Sequence, residues 1–161
     1  MAVAAHVSRV AKDYAPHGYS VMQDLFVTVG RLEGAHDLAP TIATSPVAIA
    51  ALPLDDADVY IESVQVWLSA KVGTHNGTNA FNFFVKYADN DGSLSNPVEL
   101  ASTGAKRTDG IAAMTKVDMG VNQNQIVPRG KVFYIPVVEH GNVAALAVDG
   151  LSFLVRYRRK A

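Results

Sequence analysis

The sequence predicts an all-β fold, an antiparallel β-sandwich or jelly roll with an extended N-terminal arm. Short segments alternate apolar and polar residues, which is the pattern of a strand with one buried face. Turn signals such as Asn76-Gly77 and Asp149-Gly150 separate these segments. No convincing helical pattern lies between them. Together these observations favour a sandwich over a fold in which helices alternate with strands.

The composition is rich in apolar residues and poor in charged ones. The chain has 161 residues, which suffices for one domain with a real core. Charged residues make up 18% and apolar residues 49% of the chain, whereas an average domain has about 25% charged residues. This excess of apolar surface predicts burial against neighbours, in an oligomer or a larger assembly. A core rich in Ala and Val is the alternative explanation.

Charge and residue content argue against several kinds of partner. The net charge of −1 argues against a nucleic-acid partner bound through bulk charge. The absence of Cys removes disulfides, thiolate nucleophiles and Cys-ligated metals. No apolar run approaches membrane-spanning length. His6, Arg9 and Lys12 interrupt the apolar run that a signal peptide needs. We therefore expect no membrane partner and synthesis in a cytoplasm without export.

We divide the chain into residues 1–57, an N-terminal arm and first strand that extend onto a neighbour, and residues 58–161, the β-sandwich domain. The helical spacing of four residues predicts a short amphipathic helix over residues 3–14, which Pro16 and Gly18 end. A helix this short is marginal alone and needs a surface to dock on. Its apolar residues are therefore candidates for binding a neighbouring subunit, with a frayed terminus as the alternative. These candidates are Val3, Val7, Val10 and Tyr14.

Two further segments lie before the sandwich domain. Gln23–Gly30 alternates Leu25, Val27 and Val29 and predicts a first strand. Residues 41–54 are nearly uncharged and contain Pro46 and Pro53. Proline cannot donate to a sheet ladder, so this part is predicted to be extended and peripheral, or an edge strand.

The central stretch, Asp58–Tyr87, predicts a hairpin about Asn76-Gly77, because both residues tolerate the positive φ of a type I′ turn. In that register Val64 shares one apolar face with four cross-strand pairs. The pairs are Val72–Phe81, Ala70–Phe83, Leu68–Val85 and Val66–Tyr87. A longer loop at Gly73–Asn79, with the strands splayed apart, is the alternative.

The other face of this predicted hairpin carries two aromatic residues. Trp67 and Phe84 are diagonal neighbours there, with Lys86 opposite Trp67. Another part of the same chain covers them, or they form a patch for another subunit, where aromatic residues are enriched. Both are therefore candidates for partner binding.

The remaining segments continue the β pattern. A short strand is predicted over residues 97–102, and a weak alternation favours another over 111–119. Residues 126–138 form a continuous apolar run, which predicts burial on both faces, with Pro136 at a bulge or an edge.

The last strand places apolar and basic residues on opposite faces. Leu151, Phe153, Val155 and Tyr157 alternate inward. The outward residues are Ser152, Leu154, Arg156 and Arg158. Arg156 and Arg158 are candidates for an electrostatic anchor onto an acidic partner surface, with a solubilising chain end as the alternative.

No motif predicts a catalytic, cofactor or metal site. The five His residues show no HxH or HExxH spacing, and no nucleophile elbow, P-loop or dinucleotide fingerprint occurs. Asp89-Asn90-Asp91-Gly92 partly matches a calcium loop, but the glycine stands fourth instead of sixth. Asp55, Asp56 and Asp58 form a second acidic group. Hydrated turns are favoured over cation sites at both places, and the question stays open.

Four segments together resemble the jelly-roll decoration or cement proteins of tailed-phage capsids, over about two-thirds of the chain. The segments are LPLDDADVYIESVQVWLSA, FNFFVKYADNDG, IVPRGKVFYIPVV and LSFLVRYRRK. The resemblance implies a non-enzymatic virion protein that is made in the host cytoplasm and stabilises an icosahedral head from outside. It implies the major capsid protein as partner and a homo-oligomer, typically a trimer. A carbohydrate-binding sandwich in which Trp67 stacks on sugar rings, and a phage tail or baseplate component, are the alternatives.

Overall fold

The computed structural model describes residues 22–34, 47–54, 57–102, 104–122 and 126–160. The predicted helix over residues 3–14 lies outside these ranges, together with its partner-binding candidates Val3, Val7, Val10 and Tyr14. Asp55 and Asp56 also lie outside them. The described parts of residues 1–57 form mainly two strands, which belong to the two sheets of the sandwich. The packing of an N-terminal arm on a neighbour stays a prediction.

The described chain forms twelve strands and one short 3-10 turn at Thr108–Gly110. In chain order the strands are β1 Gln23–Glu33, β2 Val47–Leu54, β3 Val59–Trp67, β4 Ala70–Val72, β5 Ala80–Phe83, β6 Lys86–Asp89, β7 Val98–Glu99, β8 Lys106–Arg107, β9 Val117–Asp118, β10 Ile126–Val127, β11 Lys131–His140 and β12 Ala147–Arg159.

All pairings between these strands are antiparallel, and they build two sheets. In the first sheet β12 is central, with β1 on one side and β3 and β4 on the other, and β9 and β10 follow on β3. In the second sheet β11 is central, with β2 on one side and β5 and β6 on the other, and β8 and β7 follow outermost. Four pairs of short strands each act as one strand of the sandwich: β3 with β4, β5 with β6, β7 with β8, and β9 with β10. With these pairs joined, the chain has eight strands. Renumbered from one to eight in chain order, they form a first sheet of order 1-8-3-6 and a second of order 2-7-4-5, which is a jelly roll. The predicted fold class is confirmed.

The inner faces of the two sheets meet in one hydrophobic core. Val64, Val66 and Leu68 of the first sheet are completely buried, as are Phe81 and Phe83 of the second. At the centre, the rings of Phe83 and Phe153 contact edge to face across the sandwich, with centroids 5.6 Å apart. Each fully buried side chain of this size contributes about 1.5–3 kcal/mol, so the contact between the sheets is the main source of stability.

The predicted hairpin about Asn76-Gly77 is wrong, and the longer loop is right. The segments on either side of residues 73–79 belong to different sheets, because β4 pairs with β12 whereas β5 pairs with β11. Asn76 and Gly77 do not take positive φ, whereas Gly73 does. The Asn76 side chain instead accepts hydrogen bonds from the backbone N–H groups of Thr78 and Asn79, at 2.8 and 2.9 Å. The loop therefore carries the chain from one sheet to the other.

The physical reason for this error is that alternation identifies the buried face and not the neighbour. Val66 and Phe83 are both buried, as the pattern predicted, but they belong to opposite sheets that share one core. Two strands paired in one sheet and two strands facing each other across a sandwich bury the same residues. Val72, predicted to face inward, is 42% exposed.

Two other predicted strands are found with changes. Residues 126–138 divide into β10 of the first sheet and β11 of the second, and residues 97–102 form a strand only at Val98–Glu99. Strand β1 covers the predicted first strand, and β2 has only β11 as neighbour among the described strands. Pro136 lies at a register shift between β11 and β2, which confirms the predicted bulge. The prediction of a strand over residues 111–119 holds only at Val117–Asp118, because Met114 takes a positive φ in a turn.

A polar cluster of Thr108 and His75 attaches the loop at residues 73–79 to the core. Thr108 is the one buried polar residue of the core in the described part of the chain. Its hydroxyl accepts the N–H of Phe81 at 3.1 Å and lies 2.8 Å from Nδ1 of His75. Nε2 of His75 lies 3.1 Å from the carbonyls of Val72 and Ala147, which can only accept. In the neutral imidazole Nε2 therefore carries the proton, and Thr108 donates to Nδ1.

We expect Thr108→Val to destabilise the protein by about 2 kcal/mol. Valine has nearly the same shape, but it leaves the Phe81 N–H and His75 Nδ1 without a partner in a buried place. Chemical denaturation followed by circular dichroism measures the change. Thr115→Val is the matched control, since Thr115 is exposed, and it should leave the free energy of unfolding unchanged. Equal stability of the two variants would contradict the assigned role of Thr108.

Candidate functional site

The outer face of the first sheet carries the largest exposed aromatic side chain of the described residues. Phe26 of β1 lies beside Leu154 of β12, which in turn lies beside Gln65 of β3. One pair further along, Ser152 of β12 lies beside Trp67 of β3. Because side chains alternate along each strand, these residues share one face. Phe26 is 67% exposed, so this face presents an aromatic surface to its surroundings.

These residues enclose an open trough of about 270 Å³. Phe26 forms one wall and Trp67 the other, two strand spacings apart, which is roughly 10 Å. Ser152 and Leu154 lie between them. The trough is lined by Phe26, Gln65, Val66, Trp67, Lys116, Ser152 and Leu154. Its shape and apolar walls suit an inserted apolar side chain or a planar ring.

Trp67 is fixed in this position by a close approach of the backbone. Gly150 in β12 has φ +60°, and a Cβ placed there would lie 2.5 Å from Oγ of Ser69 and 3.3 Å from the Trp67 ring. Ser69 also donates to the carbonyl of Asp149 at 2.9 Å. A glycine is therefore required at position 150, both for the backbone conformation and for the packing of the indole.

Arg156 and Arg158 project from the same outer face, as predicted, and both are paired within the sheet. Arg156 binds the carboxylate of Asp24 through two nitrogens, at 2.8 and 3.2 Å. This hydrogen bonding lowers the pKa of Asp24. Nε of Arg158 donates to Glu62 at 2.6 Å. The two arginines thus link β12 to its neighbours β1 and β3, and their binding to an acidic partner stays a prediction.

Phe84 lies on the other side of the molecule from Trp67, which corrects the predicted diagonal contact. Phe83 and Val85 point into the core, so Phe84 points outward from the second sheet. The ammonium of Lys86 lies 4.8 Å from the centre of the Phe84 ring, within cation–π range. The error follows from the wrong hairpin register. The two aromatic residues cannot form one patch on a single copy.

A partly buried carboxylate lies beside Lys86 on this second outer face. Glu99 of β7 approaches Lys86 to 3.8 Å, but burial outweighs this attraction and raises the pKa of Glu99. Tyr134 lies on β11, beside Lys86 of β6, and its hydroxyl is buried without a hydrogen-bond partner among the described residues. Burial, followed by the charge of Glu99, raises the pKa of Tyr134. Glu99 is therefore less stable as an anion here than in water.

Asp89 and Asp91, which were considered as cation ligands, form hydrogen bonds and an ion pair with other residues of the chain. Asp89 pairs with Lys131 and accepts from Asn96 at 2.6 Å. Asp91 accepts the N–H groups of Ser93 and Ser95, at 3.0 and 3.3 Å. These bonds lower the pKa of both carboxyl groups.

The second acidic group is described only at Asp58, which accepts the N–H of Arg129 at 2.9 Å. Across the described ranges, no three His, Asp or Glu residues cluster as metal ligands would, and no helix is long and apolar enough to cross a bilayer.

Phe26 was not predicted as a site residue. The alternation of Leu25, Val27 and Val29 along the predicted first strand puts Phe26 on the opposite face from them. An aromatic residue at the outward position of a strand was the available signal. Its proximity to Trp67 depends on the pairing of β1 with β12 and of β12 with β3, which no local pattern reveals.

The comparisons with known proteins give only distant similarities. No protein-family model matches the sequence, and no curated protein matches it significantly. Among solved structures, a chain from the structure of the infectious bursal disease virus Gt strain aligns with a TM-score of 0.42 and 13% identity, covering 87% of this chain and 38% of that one. A chain of the VP2 subviral particle of the same virus aligns with a TM-score of 0.41 and 12% identity, over 92% of this chain and 41% of that one.

This chain therefore spans about two-fifths of the length of those viral chains. Similarity this distant does not bear on the function of this chain.

We expect Gly150→Ala to destabilise the protein by about 2 kcal/mol or more. A side chain at positive φ costs about 1–2 kcal/mol, and the new methyl group would also clash with Ser69. Gly92→Ala is the matched control, because Gly92 also has positive φ (+76°) but nothing within 4 Å of the added Cβ. Thermal unfolding should rank the two variants in this order. An equal loss in both would show that the close approach of Ser69 and Trp67 to position 150 adds nothing.

We expect Glu99→Gln to stabilise the protein near neutral pH. A carboxyl group whose pKa is raised on folding contributes stability below its unfolded pKa, and that contribution is lost as the pH rises through the folded pKa. Glutamine stays neutral, so its advantage is greatest at neutral pH and shrinks towards the ordinary glutamate pKa of about 4.3. Urea denaturation at both pH values measures this difference. A glutamine variant that is less stable at neutral pH would contradict the dominance of burial over the Lys86 attraction.

Proposed function

We propose that this chain is a non-enzymatic virion structural protein, a capsid decoration or cement protein that stabilises an icosahedral phage head from outside. The observation that carries the proposal is the exposed trough between Phe26 and Trp67 on the outer face of the first sheet. The resemblance of four sequence segments to decoration proteins of tailed phages supplies the biological setting.

The architecture supports adhesion as the function. The space between the two sheets is filled by buried side chains such as Phe83 and Phe153. The binding capacity of a filled sandwich lies on its outer faces and loops. Of the two outer faces, the first presents the exposed Phe26, together with Leu154 and Trp67. An aromatic group surrounded by polar residues is the usual centre of a protein interface.

The partners follow from this proposal. The major capsid protein is the surface to which the chain adheres, and further copies of the chain complete a homo-oligomer, a trimer in the arrangement that the resemblance implies. The protein is made in the host cytoplasm and ends on the capsid surface of the virion. The residues proposed to contact partners are Val3, Val7, Val10, Tyr14, Trp67, Phe84, Arg156 and Arg158, to which the structure adds Phe26.

A carbohydrate-binding sandwich is the second candidate, and one observation favours it. Trp67 and Phe26 face a trough whose lining also includes Gln65, Ser152 and Lys116. Aromatic rings beside hydrogen-bonding side chains are what a sugar ring requires. This candidate involves Trp67 together with Phe26 and not with Phe84, which lies on the opposite face.

A particle-binding assay tests the proposal. Purified protein is added to phage heads that lack this chain, and saturation is measured by co-sedimentation. We expect Phe26→Ser with Leu154→Ser to weaken binding by about 2 kcal/mol or more, roughly 30-fold in Kd, because central interface residues contribute this much. Val98→Ser, which removes an exposed apolar side chain from the second sheet, is the control and should bind normally.

Two results would refute the proposed function. One is wild-type protein that does not sediment with particles at any concentration. The other is saturable, trough-dependent binding on a glycan array without binding to heads, which would establish the second candidate. Circular dichroism of each variant verifies that the fold is intact, so that a loss of binding is not a loss of structure.

A further inference from the structure

We propose that the trough between Phe26 and Trp67 binds the N-terminal segment of the same chain, residues 3–14. The segment thereby covers the aromatic surface before any partner does. The inference does not depend on the proposed function, since it concerns the isolated chain. It joins two features of the chain, an amphipathic segment that needs a docking surface and an aromatic surface without a cover among the described residues.

The trough needs a cover in the isolated protein. Phe26 is 67% exposed, and Met22 at the same end of β1 is also exposed. Exposed apolar surface around a concave site is an aggregation liability in a monomer unless something binds there. The trough is bounded by Ser152, Gln65 and Lys116 as well as by its aromatic walls. Its occupant should therefore be apolar on one side and polar or charged on the other.

The N-terminal segment is within reach of the trough. Its last residue, Tyr14, is separated from Met22 by the seven residues 15–21. Seven extended residues span at most about 23–25 Å. Phe26 lies three residues beyond Gln23, roughly 10 Å along β1, and Trp67 lies roughly 10 Å further across the sheet. A helix of twelve residues is about 18 Å long, which is enough to cross the trough from wall to wall.

The chemistry of the segment matches that of the trough. Val3, Val7, Val10 and Tyr14 form its apolar side. On a helical wheel Arg9 and Lys12 lie on the other side, where they remain in water. Asp13 lies at the border of the apolar side and is the complement of Lys116, which lines the trough. An ion pair there would orient the segment.

Tethering favours the segment over a second copy. A segment tethered by seven residues has an effective concentration in the millimolar range, whereas a second molecule in a purified sample is present at far lower concentration. A weak apolar contact is enough to dock the tethered segment in the trough, because the translational entropy of association is already largely lost.

Trp67 is the only tryptophan of the chain, so its fluorescence reports directly on the trough. The full chain is compared with a chain that lacks residues 1–20. We expect truncation to shift the emission maximum to longer wavelength and to raise the acrylamide quenching constant. A synthetic peptide of residues 1–20 should reverse both changes saturably. In the full chain the signal should be independent of protein concentration.

Substitutions in the full chain separate docking from folding. Val7→Asp with Val10→Asp should reproduce the truncated spectrum. Ala5→Asp with Ser8→Asp adds the same charge on the other side of the predicted helix and should leave the wild-type spectrum. Circular dichroism and thermal unfolding confirm that each variant is folded.

Three outcomes would overturn the inference. The first is equal emission and quenching in the full and truncated chains. The second is Trp67 protection that appears only at concentrations at which the protein self-associates, which would assign the trough to a second copy. The third is an equal effect of the two substitution pairs. Each outcome is obtained without phage particles, so a failure of this inference is distinguished from a failure of capsid binding.

Discussion

The structure depends on the exclusion of water between two sheets that are each made of strands distant in sequence. Phe83 of the second sheet and Phe153 of the first meet edge to face at the centre of this contact. Neither sheet can bury its inner face alone, because the inner face of each is covered by the other sheet. The two central strands, β11 and β12, are flanked on both sides and carry much of this core. Folding is therefore collective, and it requires the last two strands of the chain.

The two outer faces differ because only one of them is covered by described parts of the chain. On the second sheet, Ala88, Val132 and Tyr134 form a small buried cluster with Leu94, which belongs to the loop after β6. Asp89 and Asp91 fix this loop by binding Lys131 and the loop's own backbone. Their role is thus to hold a cover in place, and the resemblance of this loop to a calcium site is accounted for by turn chemistry. On the first sheet, Phe26 and Trp67 have no such cover among the described residues.

The basic residues of β12, and Lys160 directly after it, align this strand with its neighbours. Arg156 and Arg158 link β12 to the strands on either side of it, and Lys160 approaches Asp58 at the beginning of β3 to 3.8 Å. Ion pairs at the surface contribute little stability, about 0–1 kcal/mol each. These ion pairs instead fix the register of β12, since a one-residue slip of this strand would separate each pair and turn Phe153 towards water. A basic chain end therefore need not indicate an acidic partner.

The sequence by itself determined the fold class and the inward faces of β3 and β12, and it indicated an edge position for β2 and a bulge or an edge at Pro136. These features depend on residue period and on the missing N–H of proline, which are local properties. It also placed Trp67, Arg156 and Arg158 on outward faces. The tertiary structure alone decided which strands are neighbours. Side chains buried from two strands of one sheet, and from two sheets across a core, obey the same alternation. For that reason Trp67 lost its predicted neighbour Phe84 and gained Phe26, which is about forty residues away in the sequence.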